Sequence, residues 1–183
     1  MRTQCFSSHG LDMVAFAIPA SIEPLFVSAG WRPDRWRDGT VIVPKEHPSI
    51  AILREFAGLV VGESGTGETC ARMALSFGSI GEVDEQIEEL EAALGLTIVG
   101  IAEDGLGYET IYIDGQGRVF CTNVVAEGLY LAGRSFGEAC EALLLGRATT
   151  PILLDRQDSV PFYGVDLQRG DPRLVTVAQL RDS

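Results

Sequence analysis

Residues 62–69 (GESGTGET) come closest to a known chemical motif, the loop that cradles nucleotide phosphates. They follow the apolar residues 59–61 and match the pattern GxxxxGK[ST] at every defined position except the lysine, where Glu68 stands. The lysine of the motif stabilises the β- and γ-phosphates, whereas a carboxylate would repel them, and Glu63 adds a second negative charge. We therefore interpret these residues as a Gly-rich surface loop and not as a nucleotide site.

The cysteines and histidines show neither the spacing of a metal site nor that of a nucleophilic triad. The four cysteines lie far apart and form no C-x-x-C pair: Cys5, Cys70, Cys121 and Cys140. His47 precedes Pro48 where a helix is expected to begin, which favours a role in the turn. No GxSxG motif is present, and no pair of carboxylates is marked for acid–base work. We therefore expect a protein without enzymatic activity, metal or cofactor, whose reduced thiols are typical of the cytoplasm.

Acidic residues are concentrated in the middle of the chain. The net charge is −12, and residues 62–115 contain twelve acids against the single base Arg72. Within them, residues 81–95 predict an amphipathic helix that ends at Gly95, because apolar residues recur at helical spacing. Those expected to face the core are Val83, Ile87, Leu90 and Leu94. The acids then occupy the opposite face of the helix.

This acidic face has two interpretations, a plain solvated surface or a docking surface for a basic partner. Like-charged neighbours on a helix cost about 0.2–0.5 kcal/mol each, and a surface that served solubility alone would normally include lysines. The whole chain has one lysine, Lys45. The docking hypothesis assigns partner binding to eight acids: Glu82, Asp84, Glu85, Glu88, Glu89, Glu91, Glu103 and Asp104. Such a surface repels nucleic acids and anionic membranes, and no stretch approaches the ~18 apolar residues of a membrane span, so neither is expected as a partner.

Tryptophan and arginine residues cluster after the first predicted helix. In the sequence, Arg32 and Arg35 lie between Trp31 and Trp36, and Arg37 follows. Residues of these types often anchor protein interfaces, but a tryptophan packed beside an arginine at a corner of the fold is an equally good explanation. The sequence leaves both interpretations open.

The elements that must position these residues predict an α+β fold. Helices are expected at 21–29, capped by Ser21, at 48–58, and at 135–145 with Gly146 at its end. Strands are expected at 59–61, 71–77 and 96–101, and as a hairpin of 108–113 and 118–124 around residues 114–117. The prolines after Thr149 predict extended segments. Helices and mostly antiparallel strands without a βαβ rhythm favour α+β.

Several segments resemble bacterial immunity proteins of the SUKH superfamily, third subgroup. Residues 25–35 (LFVSAGWRPDR) are similar to the apolar helix and Gly-Trp-x-Pro-x-Arg corner with which those proteins open. Further similarities lie in the helix end at 52–59, the strand at 96–100, the hairpin at 113–120 and the helix end at 144–146. Their order and spacing extend the resemblance over roughly residues 21–147.

The resemblance implies a single domain with a central, mostly antiparallel sheet flanked by helices, without catalytic residue or cofactor. We expect an N-terminal extension at 1–20, the SUKH-like domain at 21–147, and at 148–183 a C-terminal extension that packs on the domain or trails from it. The resemblance also implies a protein partner, a toxin domain such as a nuclease or deaminase. The protein would neutralise this domain by stoichiometric binding. The alternative is a SUKH-type adaptor that binds a cellular protein without neutralising a toxin. No small-molecule substrate is expected, and the oligomeric state stays open.

Overall fold

The computed structural model describes residues 16–33, 35, 46–81, 83–125, 127–162 and 164–182. In these residues the chain forms five helices, α1 Glu23–Ser28, α2 Pro48–Phe56, α3 Glu85–Leu94, α4 Phe136–Leu145 and α5 Val177–Arg181. The strands up to α4 are β1 Val60–Val61, β2 Gly65–Thr66, β3 Ala71–Arg72, β4 Leu75–Ile80, β5 Ile98–Asp104, β6 Glu109–Asp114, β7 Val119–Asn123 and β8 Gly128–Gly133. The strands after α4 are β9 Thr150–Leu153, β10 Ser159–Phe162, β11 Val165–Gln168 and β12 Val175–Thr176.

One eight-stranded sheet organises the molecule, in the order β1-β4-β5-β6-β7-β8-β9-β12. Neighbouring strands are antiparallel except β9 and β12, which run parallel. Two small hairpins, β2–β3 and β10–β11, lie outside this sheet. The structure therefore confirms the α+β fold class and the mostly antiparallel sheet.

Successive residues of the central strands point to opposite sides of the sheet, so both faces carry apolar side chains. Helices cover both faces. Helices α1, α2 and α4 pack on one face around a cluster that includes Phe56, Ile111 and Leu143. Helices α3 and α5 pack on the other face, where Ile87 and Leu180 contact Tyr112 and its neighbours. We call these the α2/α4 face and the α3/α5 face.

Helix α4 shows how local sequence sets the boundaries of an element. The Ser135 side chain accepts a hydrogen bond from the backbone N–H of Glu138 at the N-terminus. Gly146 adopts the left-handed conformation at the C-terminus, with φ of 68°. Both ends agree with the predicted helix at 135–145.

The residues that follow α4 complete the sheet and the core of the α3/α5 face. Strand β9 pairs with β8, and β12 leads into α5, whose Val177 and Leu180 are buried in the α3/α5 face. The β10–β11 hairpin forms a third cluster with Leu153. The division into an extension at 1–20, a domain at 21–147 and a C-terminal extension stays a prediction.

Three local predictions are corrected. Val83 was expected in the core but is 41% exposed, because α3 begins only at Glu85. Ser21 does not cap the first helix, since its hydroxyl donates to Oε1 of Glu141 at 2.5 Å. The strand predicted at 71–77 is divided into β3 and β4, and β4 continues to Ile80.

Candidate partner-binding surface

Helix α3 carries most of the acids assigned to partner binding, and its own sequence fixes its position. Its N-cap is Asp84, whose Oδ1 accepts a hydrogen bond from the N–H of Gln86 at 2.8 Å. Its C-cap is Gly95, with φ of 67°. Ile87 and Leu90 are completely buried against the sheet, and burying each such side chain contributes about 1.5–3 kcal/mol. The opposite face of α3 is therefore turned towards solvent.

Some of the predicted binding acids have a structural task. Besides Asp84 at the N-cap, Glu91 accepts a hydrogen bond from the N–H of Ile98 at 3.2 Å and so joins α3 to β5. Glu89 forms an ion pair with Arg156 of the C-terminal segment. Glu82 lies outside the described residues. These contacts leave Glu85 and Glu88 as the exposed acids of the helix that form no ion pair within the described part of the chain.

The two remaining predicted acids, at the end of β5, differ from each other. Glu103 is exposed and lies opposite Thr110 of β6, which places it on the α3/α5 face. Asp104 is buried, and its Oδ1 accepts hydrogen bonds from the N–H groups of Tyr108 at 2.6 Å and Glu109 at 3.0 Å. Asp104 therefore holds the β5–β6 turn, and its assignment to partner binding stays a prediction.

The Gly-rich residues 62–69 form a surface hairpin, as interpreted from the sequence. Strand β2 turns back onto β3 and no helix follows it, whereas a phosphate-binding loop opens a helix. Glu68 pairs with Arg147, whose Nε lies 2.8 Å from Oε2. Gly67 approaches Gly146 so closely that a Cβ at Gly67 would lie 2.5 Å from the Gly146 Cα. The hairpin is thus fastened to the end of α4.

This attachment creates a cleft on the α2/α4 face, which no sequence motif indicates. The floor of the cleft is formed by Glu109 at the start of β6, Asn123 at the end of β7 and Tyr130 of β8. The β2–β3 and β10–β11 hairpins both contribute to its walls. An inner cavity of about 450 Å³ continues into an outer one of about 1000 Å³, and the two share Cys70, Ala71, Met73, Glu109 and Asn123. We call this space the hairpin cleft.

Glu109 is the carboxyl group at the floor of the hairpin cleft. Its Oε1 accepts a hydrogen bond from Nδ2 of Asn123 at 2.7 Å. Burial raises the pKa of the Glu109 carboxyl, the nearby Asp104 charge raises it further, and the Asn123 hydrogen bond opposes both. No cation of the described residues forms an ion pair with Glu109, since Arg147 at the wall is engaged by Glu68 and Glu141.

Exposed apolar side chains gather at the mouth of this cleft. They come from the β5–β6 and β7–β8 turns, which a hydrogen bond from the Val124 N–H to the Tyr108 carbonyl joins at 3.0 Å. The exposed fractions are 64% for Leu106, 50% for Tyr108, 61% for Val124 and 72% for Val125. Contiguous exposed apolar residues mark interaction sites, whereas isolated ones do not.

The remaining predicted residues lie in structural positions. Nε1 of Trp31 donates to Oε1 of Glu55 at 2.8 Å, and Arg35 donates to the carbonyls of Glu55 and Ala57. This favours the structural interpretation of the Trp–Arg corner, of which Trp36 and Arg37 lie outside the described residues. His47 caps α2, as the turn role predicted, because its Nδ1 accepts from the N–H of Ser49 at 3.3 Å.

The thiols and the metal-ligating side chains add no second site in the described residues. Burial raises the pKa of the Cys121 and Cys140 thiols well above its usual range, while Cys70 is partly exposed in the hairpin cleft. No group of three or more His, Cys, Asp or Glu side chains could hold a metal ion in the ranges described. No helix among them is long and apolar enough to cross a membrane.

Comparison with protein families identifies the family of this chain. A family model described as SUKH-3 immunity protein matches residues 18–146, which is more than half of the chain. The matched range includes every segment on which the resemblance rests and confirms it. Comparisons with curated proteins and with solved structures gave no match.

Proposed function

The chain belongs to the SUKH-3 immunity protein family, and we propose that it binds a cognate bacterial toxin domain and neutralises it by stoichiometric binding. The observation that carries the proposal is the family match over residues 18–146. Because family members act as antidotes by binding, the chain needs no catalytic group of its own. The partner is then a protein.

The exposed acids of the α3/α5 face support a toxin with a basic surface. Glu85, Glu88 and Glu103 are exposed on the same face of the sheet and form no ion pair in the described residues. A nuclease needs a basic surface to hold the phosphate backbone, and an acidic inhibitor can occupy it. Long-range attraction between such surfaces accelerates association. We therefore propose that this acidic face steers the toxin domain towards the protein.

Co-expression with the toxin domain encoded beside this gene tests the proposal. Cells should survive when both proteins are present, and the purified pair should form a tight one-to-one complex. Binding without rescue would favour the adaptor alternative. Neither binding nor rescue by a correctly folded protein would exclude the antidote function for that pair.

The contribution of the acidic face has its own test. The triple variant Glu85→Gln, Glu88→Gln, Glu103→Gln should lower the association rate at low salt, because three steering charges are lost, and the difference should shrink at high salt. The matched control is Glu23→Gln, Asp158→Asn, Asp166→Asn, which removes the same charge from exposed acids that form no ion pair in the described residues. Equal association rates for the two triple variants would contradict steering by this face.

A further inference from the structure

We infer that the hairpin cleft receives a basic side chain, an arginine or lysine, projecting from the surface of the toxin domain, and that Glu109 is its counter-ion. The inference rests on the proposed function and deepens it, since it names the residue type that anchors the partner. It concerns the α2/α4 face and not the acidic α3 helix. Four observations support it: the size of the cleft, its apolar walls, the half-buried Glu109 without a cation partner in the described residues, and the exposed apolar side chains at the mouth.

The size and walls of the hairpin cleft suit a long side chain with an apolar stem. The inner cavity of about 450 Å³ is larger than a single side chain and opens into the outer one. Met73, Leu143, Pro161 and Phe162 line it. Arginine and lysine place their methylene groups along apolar surface while the charged end reaches a polar partner.

The charge at the floor of the cleft selects a cation. Glu109 is half-buried and Asp104 lies nearby, so the floor itself carries acidic groups. The cations that line the two cavities are Arg147, which pairs with Glu68 and Glu141, and Arg72, which is exposed. Asn123 donates to Oε1 of Glu109, and no described cation pairs with the carboxyl group. A guanidinium from outside would stabilise the carboxylate charge of Glu109, which burial disfavours, and it would donate in the planar geometry that carboxylates accept.

The mouth of the cleft distinguishes a protein partner from a small cation. Leu106, Tyr108 and Val125 line the outer cavity and are at least half exposed. A free amine or guanidine would leave this surface in contact with water. A protein that inserts one basic residue would cover it, which matches the arrangement of an anchor in a pocket surrounded by apolar contacts.

The position of the mouth relates the cleft to the acidic face. The β5–β6 turn follows Glu103 directly, and the N-terminal turn of α3 reaches the β7–β8 turn, where Nε2 of Gln86 donates to the Glu127 carbonyl. The mouth and the acids Glu85 and Glu103 therefore meet at one end of the sheet. A toxin attracted by the acids arrives beside the cleft that would hold it.

The decisive experiment measures binding of the catalytically disabled toxin domain to the full chain and to Glu109→Gln. Glutamine keeps an oxygen for the Asn123 hydrogen bond but removes the charge. We expect the dissociation constant to rise at least about tenfold, mainly through faster dissociation, because a half-buried charge pair is lost. The matched control Glu103→Gln should change mainly the association rate at low salt. An unchanged Kd for Glu109→Gln in an otherwise tight complex would overturn the cleft inference and leave the antidote function intact.

Thiol labelling at Cys70 provides an independent measurement in a Cys5→Ser background. Cys70 lines both cavities, whereas Cys121 and Cys140 are buried, so a soluble maleimide should react first at Cys70. The toxin domain should slow this reaction at least about tenfold when it fills the cleft. Equal labelling rates in the free protein and in the complex would overturn the inference. Protection that rises with the concentration of the protein alone would assign the cleft to a second copy of this chain and also overturn it.

Discussion

Asp114 and Arg118 form an ion pair inside the protein, with Nε of Arg118 2.7 Å from Oδ2 of Asp114. The exposed fraction of the side chain is 0% for Asp114 and 6% for Arg118. The pair spans the turn between β6 and β7, where Oδ1 of Asp114 also accepts the N–H groups of Gln116 and Arg118. Nη1 of Arg118 donates further to the Leu180 carbonyl in α5. One ion pair thus joins the central hairpin to the C-terminal helix.

Replacing Arg118 with methionine should destabilise the protein strongly. The variant leaves the Asp114 carboxylate buried without its cation, and breaking a buried pair in this way costs about 3–5 kcal/mol. Urea denaturation at neutral pH measures the change in the free energy of unfolding. The control is Arg173→Met, which removes an exposed pair with Asp171 and should cost no more than about 1 kcal/mol. Equal losses for both variants would show that burial of the Asp114–Arg118 pair has no special effect.

Replacing two acids of the α3 region, Asp84 and Glu88, should affect the free energy of unfolding differently. Asp84→Ala removes the N-cap of α3 and should lower the free energy of unfolding by about 1 kcal/mol. Glu88→Gln should leave the free energy of unfolding unchanged or raise it by a few tenths of a kcal/mol, because it removes the repulsion between Glu88 and its like-charged neighbours Asp84 and Glu91. Thermal and urea unfolding of both variants test this. A stabilising Asp84→Ala would contradict the assigned cap.

Stability should depend on pH through His47. Burial is the main cause that lowers the pKa of His47 below 6.5, although the Thr97 carbonyl and the charges of Asp114 and Glu91 oppose it. Because the pKa is lower in the folded protein, the unfolded state binds more protons. The contribution of His47 to the free energy of unfolding is therefore complete above about pH 6.5 and is lost as the pH falls towards the folded-state pKa.

The comparison variant for this pH effect is His47→Asn, which keeps a capping acceptor but does not titrate. Unfolding free energies of the two proteins should diverge between pH 8 and pH 5 by no more than about 1.4 kcal/mol per pH unit, with the wild type losing more on acidification. A constant difference over that range would show that His47 does not contribute.

Gly67→Ala should weaken the attachment of the β2–β3 hairpin. Its Cβ would lie 2.5–2.6 Å from backbone atoms of Gly146, Cys70 and Leu145, so the backbone has to shift. We expect a loss of about 1–3 kcal/mol in the free energy of unfolding, together with faster labelling of Cys70. Gly78→Ala is the control, because a Cβ there meets nothing within 4 Å. Similar effects at both positions would mean that the close approach of Gly67 to Gly146 is not needed.

The elements that the sequence predicts well are those whose signals are local. Ser135 and Gly146 bound α4, and residues 114–117 form the predicted turn, because each depends on neighbours a few residues away. The buried role of Asp104 depends on how the chain turns towards Tyr108, and composition does not reveal this. The hairpin cleft was missed for a stronger reason, since its lining comes from segments between Ser64 and Gly164 that only the tertiary fold brings together.

The place of β9 beside β8 has a consequence for the order in which the protein is made. Synthesis proceeds from the N-terminus, so β8 leaves the ribosome before the strand that pairs with its outer edge. Until residues 150–182 follow, that edge is open and Leu129 and Leu131 lack their contacts with the C-terminal segment. Open strand edges pair readily with other chains. A nascent or prematurely released chain is therefore prone to self-association, and residues 150–182 close the surface at which this would begin.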